Sequence, residues 1–69
     1  MLENFEKIRK ENGVTLVDIA DLIGVKYQTV SEKINGSSSF KFEEALAIQE
    51  KFFPEYDLVF LFSQPKATA

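Results

Sequence analysis

The sequence predicts an all-α domain of five short helices. Three observations carry this prediction. Apolar residues return at every third or fourth position in separate segments, which is the period of a helix. Gly13, Gly24 and the pair Asn35-Gly36 stand where those patterns break, the usual place for a helix stop. The one run that also reads as a strand, "DLVFLF" at 57–62, has no strand elsewhere to pair with. A chain of 69 residues makes a single domain near the size at which one hydrophobic core only just offsets chain entropy. With 45 % hydrophobic residues and seven Phe it can build that core without covalent staples. The expected organisation is one domain over residues 1–63 and a frayed tail over 64–69.

In "LENFEKIRKENG", Leu2, Phe5 and Ile8 recur between charges and Gly13 ends the first helix. The second, "TLVDIADLIG", opens on Thr15 with Asp18 three residues on, a capping box with Asp in place of Glu. Leu16, Ile19, Ala20 and Ile23 share its inner face, and Gly24 stops it. From Tyr27 the pattern restarts on Val30 and Ile34 and runs to about Asn35. At about 100° per residue, Gln28, Ser31, Glu32 and Asn35 collect on the face away from Val30 and Ile34, with Tyr27 at its edge. "NGSSSF" is a loop by composition. "FEEALAIQEKFF" is the fourth helix, acidic in its first turn, with an expected inner stripe of Phe42, Ala45, Leu46, Gln49, Phe52 and Phe53. Pro54 punctuates, and Asp57 as an N-cap favours a short fifth helix over a strand. Its inner stripe is Leu58, Leu61 and Phe62, which leaves Val59 and Phe60 outside as a candidate dimer interface.

The residue inventory removes most chemistry. With neither His nor Cys there is no imidazole base, no thiolate nucleophile and no ordinary zinc site, so no catalytic residue, metal or cofactor is expected. Glu43 and Glu44 read as a charge pair favoured by the start of a helix. No apolar run approaches the roughly 20 residues needed to span a bilayer, and a cytoplasmic protein without a membrane partner is expected. The net charge of −3 and pI near 4.8 speak against a nucleic-acid partner when taken globally. Residues 24–42, with Lys26, Lys33 and Lys41 against Glu32, are nevertheless the one strongly basic stretch, at +2, between acidic flanks.

Two short helices joined by a glycine turn make the outline of a helix-turn-helix, and the residues themselves go further. "TLVDIADLIGVKYQTVSEKING" resembles the Cro/repressor-type helix-turn-helix family of phage and bacterial transcriptional regulators. Thr15, Ile19, Ala20, Gly24, Val25, Thr29, Val30, Ser31, Asn35 and Gly36 fall on that family's pattern. "FEKIRKENG", "SFKFEEALAI" and "YDLVFLF" look like its first helix, its loop with fourth helix, and its closing segment. The resemblance implies a compact five-helix repressor-like DNA-binding domain in which helices 2 and 3 form the helix-turn-helix. The implied partner is a double-stranded DNA operator, bound by a homodimer.

The residue chemistry is compatible with that role. Gln28 can pair bidentately with adenine, and Tyr27 and Ser31 can meet a base edge, a thymine methyl or a phosphate. By the resemblance, Asn35, Ser37, Ser38 and Ser39 meet phosphates, helped by Lys26 and Lys41. There are departures. Leu16 stands where the family carries a phosphate-spanning Gln. Lys26 replaces a Ser, giving up an N-cap worth roughly 1 kcal/mol for a phosphate-seeking charge. Ile34 stands where many members place a Glu paired with the equivalent of Arg9, so Arg9 is expected to be exposed or paired elsewhere. Glu32 on a groove-facing helix either accepts from a cytosine amino group or repels phosphate. The expected function is sequence-specific regulation, Cro-like or repressor-like, from a chain holding only this domain. A protein-binding module of the same fold, modulating another regulator or acting as an antitoxin-like partner, stays open beside it, favoured by the acidic total and Glu32.

Overall fold

The computed structural model describes residues 1–63; the expected tail at 64–69 lies outside the described residues. The helices follow in the order α1 (Glu3–Glu11), α2 (Leu16–Ile23), α3 (Tyr27–Asn35), α4 (Phe42–Phe52) and α5 (Leu58–Phe62), with no strand among the described residues. Three of the five starts, those of α2, α4 and α5, are fixed by a side chain. The Thr15 hydroxyl accepts from the Asp18 N–H at 3.0 Å while the Asp18 carboxylate accepts from the Thr15 N–H at 3.0 Å, so the capping box closes with the shorter acid. The Asp57 carboxylate caps α5 by accepting from the Phe60 N–H at 3.1 Å. At α4 only half a box is chemically available. Glu44 accepts from the Lys41 N–H at 3.0 Å, but an ammonium has no lone pair to return the bond.

The core gathers Leu2, Phe5 and Ile8 of the first segment, Ile19 and Ala20 of α2, Val30 and Ile34 of α3, Ile48 of α4, and Phe53 and Leu61. Phe5 is its centre, fully buried, with ring centroids of Phe62, Phe53 and Phe40 at 5.1, 5.8 and 5.9 Å. α2 packs on α3 and α4, while α5 packs on α1 and α4. The α1 end is fixed by Arg9, whose guanidinium clamps Glu6 at 2.6 and 3.1 Å and donates to the Val14 carbonyl at 3.0 Å. This is the alternative pairing that the absence of a Glu at position 34 requires.

The inner stripe of α4 differs from the expected one. Phe42 is 69 % exposed, and the buried residues of the helix are Ala45 and Ile48. Phe42 is the first helical residue, roughly 90° around the axis from the line through Ala45, Ile48 and Phe52 at 100° per residue. Phe53 reaches the core by a different route: the chain leaves helical geometry there, at φ −133°, and turns the ring inward. Gln49 serves as a bracket, its amide donating to the carbonyls of Phe53 at 3.3 Å and Tyr56 at 2.9 Å.

Candidate nucleic-acid interface

The turn between α2 and α3 is made by Gly24 in the left-handed region, φ 77° and ψ 35°. There its N–H and that of Val25 both donate to the Ala20 carbonyl, at 2.8 and 3.0 Å. Ala20 is buried where the two helices meet, and a longer side chain there would force them apart. Below α3, Val30 and Ile34 are 0 % and 2 % exposed. With that side fixed in the core, the opposite side has one direction to face.

That opposite side carries the expected residues. Gln28, Glu32 and Asn35 are exposed, Tyr27 is exposed at the start of the helix, and Ser31 is half-buried at the margin. Lys26 is the exposed N-cap residue and makes no side-chain cap bond. The amides of Tyr27 and Gln28, first in the helix, donate to no atom among the described residues. At the other end, the Glu32 carbonyl accepts from the N–H groups of Gly36, Ser37 and Ser38 at 3.1, 3.0 and 3.3 Å. Those amides are thereby spent, and what Ser37 and Ser38 can offer a phosphate is their hydroxyls. Ser37, Ser38, Ser39 and Lys41 are exposed along the loop that follows. The nine residues of α3 span about 13 Å at 1.5 Å per residue, against a major groove about 12 Å wide. Lys26 and the serine loop therefore flank the polar face at its two ends.

Lys33 leaves the basic surface that the charge count gave it. Its side chain is 11 % exposed, with Nζ 2.9 Å from the Ser39 carbonyl, 3.4 Å from Glu44 Oε1 and 5.8 Å from the Phe40 ring centroid. Burial acts to raise the Glu44 carboxyl, but the Lys41 N–H bond and the Lys33 ammonium outweigh it and hold the group below the usual carboxylate range. The sequence reading missed this pair, and the distance in sequence between its partners offers no periodic signal. The start of the chain also braces α3, through the Leu2 N–H on the Ile34 carbonyl at 2.9 Å. Val59 and Phe60 sit apart from this surface on the outer side of α5, 71 % and 43 % exposed. Among the described residues no group of acidic side chains is placed to hold a metal, and no helix is long and apolar enough to cross a membrane.

A glycine-turned pair of short helices, the second pinned from below and polar above, defines a helix-turn-helix protein. A family model described as "Helix-turn-helix" matches residues 5–53, from the core Phe5 through the end of α4. The chain belongs to that family, the Cro/C1-type helix-turn-helix, which is a family of DNA-binding regulatory domains and not typically of enzymes. Comparison with curated proteins and with solved structures gives no match.

Proposed function

We propose that this chain is a sequence-specific transcriptional regulator, Cro-like or repressor-like, whose residues 1–63 form the DNA-binding domain. α3 reads the major groove of a double-stranded operator. The observation that carries this reading is the two-sidedness of α3: Val30 and Ile34 fully buried, Gln28, Glu32 and Asn35 fully outward. Gln28 reads adenine, Tyr27 and Ser31 contact the flanking base edges, and Glu32 either selects cytosine or repels phosphate. Lys26 together with the open amides of Tyr27 and Gln28 takes one phosphate, the charge and the helix start acting in the same sense. Asn35, the Ser37–Ser39 hydroxyls and Lys41 take the phosphates at the far end.

Two copies joined through Val59 and Phe60 of α5 would present two reading helices one DNA turn apart, about 34 Å, to an inverted repeat. The exposure of these adjacent apolar residues on a helix of five residues supports that role. A second reading, as a module that binds another protein, is favoured by one observation. Glu32 is an exposed carboxylate in the middle of the reading face of an acidic chain.

Selection of bound duplexes from a random pool tests the proposal. Enrichment of an inverted repeat is expected, and Gln28→Ala should then cost about 1–3 kcal/mol on the selected site and little on mixed-sequence DNA. A pool that stays random after repeated rounds overturns sequence-specific reading and leaves the protein-binding module as the better description.

A further inference from the structure

We propose that Lys33 and Glu44 are positioning residues of the DNA-binding surface, holding the serine loop in register with the reading helix without touching DNA themselves. The inference rests on the DNA-binding reading above and adds to it a mechanism for joining the surface's two halves. One half, Lys26 to Asn35, lies on α3; the other, Ser37 to Lys41, lies on a loop. For both to meet one duplex, their offset has to be fixed to a fraction of an ångström, because phosphates and base edges sit at set distances along the helix.

Packing does little to fix that offset. Ser37, Ser38, Ser39 and Lys41 are exposed, and a cavity of about 140 Å³ lies against Ser38 and Ser39, walled by Leu2, Ala45 and Phe62. Phe40 is the one apolar anchor of the segment, its ring 5.4 Å from that of Phe62. The Glu32 carbonyl holds the first turn of the loop through the Ser37 and Ser38 amides, and from Ser39 onward the restraint is polar and passes through a single ammonium and a single carboxylate oxygen. Lys33 leaves α3 sideways, crosses the Phe40 ring and donates to the Ser39 carbonyl at 2.9 Å. Glu44 Oε1 receives the same ammonium at 3.4 Å and the Lys41 N–H at 3.0 Å. Reading helix, serine loop and the start of α4 are thus tied at one point. The two side chains are 11 % and 18 % exposed, so solvent screens the pair less than it would a surface ion pair.

The sign of one substitution separates this role from simple charge. Glu44→Gln removes a negative charge from an acidic protein that approaches a polyanion, so electrostatics alone makes it bind DNA more tightly. Positioning makes it bind less tightly, because the glutamine amide holds the Lys33 ammonium weakly and the loop drifts. Binding of a labelled mixed-sequence duplex and of a duplex recovered by selection is measured for wild type, Glu44→Gln, Lys33→Met, the double variant and Lys33→Arg. The temperature is one at which circular dichroism shows every variant folded. Glu44→Gln and Lys33→Met are each expected to bind about threefold to tenfold more weakly. The double variant should be no weaker than Lys33→Met, since both break one linkage. Lys33→Arg should recover most of the wild-type affinity.

Hydrogen exchange at the Lys41 amide of the free protein, expected to quicken in Glu44→Ala, which removes the acceptor that a glutamine would keep, reads the loop without DNA and serves also if Lys33→Met fails to fold. A wild type that binds while Glu44→Gln binds equally or more tightly overturns the inference alone. An unchanged Lys41 amide does the same. A wild type that binds no duplex overturns the DNA reading, and this inference with it.

Discussion

Gly24 gives the sharpest separation of fold from function, because its substitution has a calculable cost and no partner to disturb. At φ 77° the residue is in the left-handed region, and a Cβ built there meets nothing within 4 Å. Gly24→Ala therefore carries no packing penalty. What remains is the backbone cost of a left-handed L-residue, roughly 1–2 kcal/mol. The smaller conformational freedom of an unfolded Ala offsets about 0.4–1 kcal/mol of this, which leaves a net loss of about 1 kcal/mol. For a domain of this size, that corresponds to a fall of about 4–8 °C in Tm. Gly24→Asn should fall less, since Asn visits this region more readily. Thermal melts by circular dichroism measure both. DNA affinity at a temperature where all three proteins are folded should stay within about twofold, since a Cβ at Gly24 meets no neighbouring atom and leaves α2 and α3 in place. The reasoning is refuted if Gly24→Ala melts with the wild type, or if Gly24→Asn melts below Gly24→Ala.

Four further perturbations follow from the same geometry. Lys26→Ala should weaken binding to selected and mixed duplexes alike and flatten the salt slope by about one unit per copy. Glu32→Gln should tighten binding to every sequence, and a loss confined to sites with one particular cytosine would instead make Glu32 a reader. Because the folded-state value of Glu44 is lowered, its contribution to stability is complete above the ordinary Glu value of about 4.3 and is lost as pH falls through the lower folded value. The Tm gap between wild type and Glu44→Gln should therefore close on acidification below about pH 4.3, and a gap that widens there would be the wrong sign. Phe60→Glu should lower the sedimenting mass at micromolar concentration and remove cooperative operator binding; wild-type values for both would exclude α5 as the dimer contact.

Particular residues show why the fold was largely legible and the site only partly so. Thr15 with Asp18, Gly24, and Val30 with Ile34 act through neighbours within four positions, so their roles are written in local spacing. The outward placement of Gln28, Glu32 and Asn35 follows from the same periodicity. Phe42 misled because a periodic pattern gives spacing but not the point at which the helix starts, and as the first residue of α4 it projects to solvent. Phe53 was assigned to the core correctly for a different physical reason, a break in the backbone at the helix end. Lys33 was the harder case. A lysine in a basic stretch looks like surface charge until its partner is known. That partner, Glu44, comes from another helix across a loop that composition describes only as polar. Arg9 had its substitute partner within reach at Glu6, three positions back on the same helix.

The central claim is that an acidic chain binds DNA through the outward-facing polar side of α3, with the exposed Lys26 and Lys41 flanking it. A salt titration of wild-type binding to a labelled mixed-sequence duplex, followed by fluorescence anisotropy, tests it most directly. Lys26 and Lys41 are the exposed lysines at the two ends of the proposed surface, while Lys33 is held by Glu44. At about 0.9 per neutralised phosphate, the slope of log affinity against log salt should lie near −2 for one bound copy and near −4 for a pair. Absence of binding at low salt, or an affinity indifferent to salt, would contradict the claim.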